Sequence, residues 1–109
     1  MAYDEKLAER LSDLIKSRKG FAQKKMFGGV AFLLNGNMCF GVHKDMLVLR
    51  MDEASAESAI ERKHTKPFDI TGRKMKGWVM VEKDGIKGKE NLKNWTDKAV
   101  KFVKTLPKK

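Results

Sequence analysis

Between Lys24 and Met51 the chain reads KKMFGGVAFLLNGNMCFGVHKDMLVLRM, with strand-like runs on either side of Asn35-Gly36 and a third after Lys44-Asp45. A type I′ hairpin loop needs φ > 0 at both central positions, which Asn and Gly tolerate best. Asn-Gly between apolar runs is therefore the strongest short-range hairpin signal. The middle of the chain is expected to form an antiparallel meander. Links of two or three residues cannot make parallel crossovers, which argues against a doubly wound α/β fold.

The flanks read differently. Tyr3, Leu7, Leu11, Leu14 and Ile15 recur at helical spacing, and Gly20 is placed to stop that helix. Phe21 to Phe27 predicts a first strand, with a bulge or bend at Gly28-Gly29. Asp52 is suited to cap a short Ala-rich helix from Glu53 to Arg62. Lys63 to Lys66 reads as a linker, Phe68 to Ile70 as a short strand, Thr71 to Lys76 as a basic loop, and Gly77 to Lys83 as a strand turned by Asp84-Gly85. Leu92, Trp95, Ala99, Phe102, Val103 and Leu106 mark a last amphipathic helix before Pro107. The order α-β-β-β-β-α-β-β-α predicts an α+β two-layer sandwich, an antiparallel meander sheet with helices on one face. Its length predicts a single domain over 1–109. Helices one and three are expected to cover the same sheet face, with Leu7, Leu11, Leu14, Trp95, Ala99 and Val103 over Phe40, Leu49 and Met80.

Two-residue loops at Asn35-Gly36 and Lys44-Asp45 set a register in which Ala31 faces Phe40, Leu33 faces Met38, Phe40 faces Leu49 and Val42 faces Leu47. Ala31, Leu33, Met38, Phe40, Val42, Leu47, Leu49 and Met51 then share an apolar face, assigned to the core. The other face carries Phe32, Leu34, Cys39, His43, Met46, Val48 and Arg50 beside Asn37 and Gly41. Exposed apolar patches mark interaction surfaces, so this face is the candidate docking surface for a partner protein or a second copy of the chain. Phe32 would be its anchor, with His43 and Arg50 at the rim. The alternative is that a loop, such as Thr71–Lys76, folds over it.

Little else in the sequence points to chemistry. Cys39 and His43 lie about 13 Å apart along a strand, too far for a thiolate–imidazole pair. One Cys and two His (His64 in a basic linker) do not supply a zinc ligand set, and the single Cys forms no internal disulfide. Phe-Gly-Gly-Val is no dinucleotide fingerprint, and Gly72 to Gly77 is no P-loop. No cofactor, metal or catalytic group is expected. Of the methionines, Met46 and Met75 are the surface candidates. No signal peptide is visible and no signal is expected, no apolar run reaches membrane-spanning length, and the expected location is the cytoplasm.

Charge is uneven. The net +10 falls on residues 62–109, which hold 15 Lys/Arg against 5 Asp/Glu, while residues 1–61 hold nine of each. Such asymmetry points to either a lysine-rich solvated surface or a polyanionic partner. Arg73, Lys74 and Lys76, just before Trp78, are the candidate polyanion contacts, in the basic-plus-aromatic pattern that nucleic-acid binding uses.

Several phrases together resemble a known family. Lys25-Met26-Phe27-Gly28-Gly29, Phe32, Asn35-Gly36-Asn37-Met38, Gly41-Val42 and Gly77-Trp78-Val79 are similar to the N-terminal domain of the TfoX/Sxy competence regulators. The stretch from Phe68 to Trp78 resembles small stand-alone members. The resemblance runs from Tyr3 to Leu106. It implies an α+β sandwich like that of secretion chaperones and no established catalytic residues or cofactor. Full-length members carry a second, C-terminal domain and are transcriptional co-regulators acting with the cyclic-AMP receptor protein. The function expected is therefore a non-enzymatic regulatory, protein-interaction domain. Its partner would be a protein such as a transcription regulator, and direct nucleic-acid binding through the basic half is the alternative.

Overall fold

Asn35 at φ 53° and Gly36 at φ 84° form the expected turn, and Lys44 at φ 59° opens the next one. Around these turns the computed structural model describes residues 3–16, 18–26, 29–68 and 76–107. The elements run α1 (Glu5–Ile15), β1 (Phe21–Met26), β2 (Gly29–Leu34), β3 (Asn37–His43), β4 (Met46–Arg50), α2 (Glu53–Ile60), β5 (Thr65–Pro67), β6 (Trp78–Val81) and α3 (Lys89–Val103). A 3-10 turn, Lys83–Ile86, precedes α3. The strands form one antiparallel sheet in the order β1-β2-β3-β4-β6-β5. This is the α+β architecture and element order that the sequence predicts.

Local signals explain the helix starts. Asp4 accepts hydrogen bonds from the backbone N–H groups of Lys6 and Leu7, satisfying donors that α1 leaves open. Asp52 does the same for Ser55 at the start of α2. All three helices pack on one face of the sheet, called here the front. Leu7, Leu11 and Ile15 of α1, Ala56 and Ala59 of α2, and Leu92, Trp95, Ala99 and Val103 of α3 join one buried cluster with Phe40, Val42, Leu47, Leu49, Val79 and Val81. Met80, expected beneath these helices, points to the back instead, because Val79 and Val81 take the front positions of β6.

The β3–β4 register is the expected one, with Phe40 opposite Leu49 and Val42 opposite Leu47. The β2–β3 register is not. Leu33 faces Met38, but Phe32 rather than Ala31 faces Phe40. The extra residue is Cys39, a β-bulge that leaves two β3 residues against one on β2. The bulge lets neighbouring Cys39 and Phe40 both enter the front cluster. It also turns β2 over relative to the expected parity. Val30, Phe32 and Leu34 are buried on the front, and Phe32 stacks on Phe40 with ring centroids 5.2 Å apart. Phe32, Leu34 and Cys39 are therefore core residues and not part of an open face. Ala31, Leu33 and Met38 leave the front, since alternation places them opposite Phe32, Leu34 and Cys39.

Gly29 and Gly41 sit where β2 and β3 leave no room for a side chain. A Cβ on Gly41 would sit 2.5 Å from the Val30 carbonyl oxygen, and one on Gly29 would collide with that of Val42. The first strand expected after α2 also shifts. It is Thr65–Pro67, paired with β6 at the sheet edge where a residue lacking N–H is tolerated. The segment expected as a strand begins at Phe68, and its remainder, Asp69 and Ile70, lies outside the described residues, as does Gly28 of the Gly28-Gly29 bend.

Candidate functional site

The proposed docking face divides once the bulge is placed. Phe32, Leu34 and Cys39 are buried under the helices. His43, Met46, Val48 and Arg50 remain on the back. There Val48 and Met80 are buried with Phe68, and Met46 and Trp78 pack partly against them. The edge of the Phe68 ring meets His43, with centroids 6.3 Å apart. Phe68 belongs to the segment that leads towards the basic loop, so this chain supplies cover for its own back face. Arg50 holds its guanidinium 5.8 Å from the Trp78 ring and 5.9 Å from that of Phe102. Of the candidate polyanion contacts, Lys76 is exposed beside β6. Arg73, Lys74 and Met75 lie outside the described residues.

Cys39 and His43 project to opposite faces, which separates them further than their spacing along the strand. Burial pushes the Cys39 thiol up to about 12, against a lowering by Arg18 and Arg50. A neutral, enclosed thiol is a poor nucleophile. Among the described residues no group of three His, Cys, Asp or Glu side chains is placed to hold a metal ion.

A concave surface lies elsewhere, between α2 and α3. Met51, Asp52, Ala54, Ser55, Ser58, Ala59 and Arg62 form one wall, and Trp95, Lys98, Lys101, Phe102 and Thr105 the other, around a groove of ≈ 670 Å³. Its origin is the small side chains of α2. Alanine at 54 and 59 favours the short helix and Ser55 hydrogen-bonds its Asp52 cap, yet the alanines and serines at 54, 55, 58 and 59 do not fill the space beside α3. The two helices run antiparallel along it. Arg62, just past the C-terminal end of α2, lies 4.7 Å over the Trp95 ring, whereas Arg50, just before the Asp52 cap, reaches Phe102. Thr65 closes the far end of α2 by donating its hydroxyl to the Ala59 and Arg62 carbonyl oxygens.

The rim is cationic on the α3 side. Lys98 and Lys101 are exposed, and among the described residues no carboxylate oxygen lies within 4.0 Å of Lys98, Lys101 or Arg62. Other cations nearby are already engaged: Lys93 and Arg18 both pair with Asp97, at 2.9 and 3.8 Å. The α2 side carries Asp52 at the groove end and the exposed carboxylates Glu53, Glu57 and Glu61 on the adjoining stripe. Reading by strand faces misses this site. Its signal is a small-residue helix paired with a helix bearing Lys98, Lys101 and two aromatics, and only the tertiary packing brings them together.

Among the described residues no helix is long and apolar enough to cross a membrane. Comparison with the curated proteins gives no match, and comparison with the solved structures gives none either. A family model described as the TfoX N-terminal domain matches residues 13–103, which takes in every strand described here, α2, α3 and the last three residues of α1. The chain belongs to the TfoX N-terminal domain family.

Proposed function

We propose that this chain is a non-enzymatic regulatory domain that works by binding another protein, in the manner of transcriptional co-regulators. The observation that carries this reading is the groove between α2 and α3, with its apolar floor and a row of cations that no carboxylate neutralises among the described residues. Family membership supports it, since members of this kind resemble co-regulators of competence genes that act through a partner. The buried, neutral Cys39 fits a structural part and no nucleophilic one.

The test is affinity capture from the native source, with and without nuclease, using the parent chain and a Ser58→Trp variant. Ser58 is an exposed α2 residue lining the groove, so the indole blocks the groove without entering the core. A protein that stays bound after nuclease and is lost with Ser58→Trp is the expected result. Capture that vanishes with nuclease would overturn the reading in favour of nucleic-acid binding. That second reading is supported by the charge excess of residues 62–109, and its signature is binding that weakens steeply with salt.

A further inference from the structure

We infer that Arg62, Lys98 and Lys101 bind the diphosphate group of a small molecule. The three cations line two adjoining hollows at once. One is the α2–α3 groove. The other, of ≈ 390 Å³, opens beside it and is walled by Arg62, Asn94, Asp97, Lys98 and Lys101. The cations therefore stand on the shared rim, open to both sides. The assignment goes beyond the interaction reading and does not need it, since this chain alone would hold the ligand.

The cluster is poised for an anion. Among the described residues none of the three cations has a carboxylate oxygen within 4.0 Å. Asp97, the acid in the smaller hollow, is already held by Lys93 and Arg18, and Asn94 adds an amide donor. Arg62 is also held in place. Its guanidinium lies 4.7 Å over the ring of Trp95, which is itself buried, so the fork is fixed without being neutralised. A guanidinium fixed in this way can meet two oxygens of one phosphoryl group, while Lys98 and Lys101, one turn apart on α3, supply point charges.

Charge and extent select the occupant. Near neutral pH a diphosphate carries as many negative charges as the cluster carries positive ones, whereas a single carboxylate leaves most of that charge unmatched. An acidic peptide carries one charge per side chain, spread along its length. It suits three clustered cations less well than phosphoryl groups joined by one oxygen. A nucleic-acid strand needs a charged track along its backbone and aromatic faces for its bases. No further cation lines either hollow, and Asp52 stands at the end of the groove. Trp95 is 6 % exposed and covered by Arg62, so it offers no face for stacking.

The experiment titrates inorganic diphosphate into the isotope-labelled full chain and follows the backbone amide NMR signals, with calorimetry for affinity. Saturable shifts around Arg62 and from Asn94 to Lys101 are expected. ADP in a parallel arm separates the sources: equal affinity makes the bare diphosphate sufficient, and tighter ADP binding marks a nucleotide-like molecule, either of which supports the site. Inorganic phosphate should bind about tenfold more weakly. Lys98→Glu with Lys101→Glu should abolish saturable binding, and Arg62→Gln should weaken it about tenfold. Lys24→Glu with Lys25→Glu makes the same change in net charge on exposed positions of β1 and should leave the affinity unchanged. Thermal melting checks that each variant stays folded, and if Arg62→Gln does not, the lysine pair decides. The inference is overturned by an absence of saturable binding, by citrate binding as tightly as diphosphate, or by an equal loss in the β1 variant. Displacement of diphosphate by single-stranded DNA or polyglutamate at lower concentration overturns it too.

Discussion

On its front the sheet buries Phe32, Phe40, Leu47 and Leu49 beneath three helices, whereas on its back Val48 and Met80 meet mainly the ring of Phe68. The front is enclosed from several directions, so a side chain lost there leaves a void. Among the described residues the back is covered from one direction, by Phe68, so a side chain lost there leaves no closed void. The same residue type should therefore have different weight on the two faces, and face assignment, more than hydrophobicity, predicts the cost of a substitution.

Phe32→Ala is the severest way to break this contrast, at about 3–5 kcal/mol in denaturant titration, with Leu11→Ala at about 2–5 kcal/mol because each leaves an enclosed cavity. Phe68→Ala should cost about 1.5–3 kcal/mol, the transfer contribution without a closed cavity. A Phe68 cost equal to that of Phe32 would erase the distinction between the faces.

The Cys39 thiol gives a smaller test of how dry the front is. Its folded value near 12 lies above the ordinary 9, so above pH 9 the unfolded chain holds fewer protons than the folded one. Stability should then fall as pH rises from about 9 towards 12, by roughly 1 kcal/mol at pH 10, and the difference between parent and Cys39→Ala isolates this contribution. Iodoacetamide should alkylate the native thiol far more slowly than the unfolded one. Lys98→Glu with Lys101→Glu should change stability least, within about 0.5 kcal/mol, since both side chains are solvated surface.

Turn chemistry, helix periodicity and the β3–β4 pairing were legible because each depends on residues close in sequence. Asn35-Gly36 carries its own backbone requirement, and Leu7, Leu11 and Ile15 carry theirs. The β2 face was not legible from an ungapped hairpin, since one unpaired residue inverts every side chain beyond it. The bulky residues of β2 did hold a clue. Val30, Phe32 and Leu34 share a parity while Ala31 is small, which suits a strand whose odd positions lie on the less crowded side. The groove was hidden for another reason: the serines and alanines of α2 are unremarkable along the chain and matter only for what they fail to fill beside α3.

Arg10 on α1 donates to the carbonyl oxygens of Ile86 and Gly88, at 2.8 and 3.3 Å, and so ties the first helix to the entrance of the last. During translation this order matters. The sheet is complete once Val81 has been made, but α3, which supplies Leu92, Trp95, Ala99, Val100 and Val103, is still to come. For that interval Phe40, Leu47 and Leu49 lack their largest cover, and the nascent chain presents a wet apolar sheet to its surroundings. Slow decoding between Gly88 and Val103 would prolong that exposure, and a ribosome-associated chaperone would find its binding surface there.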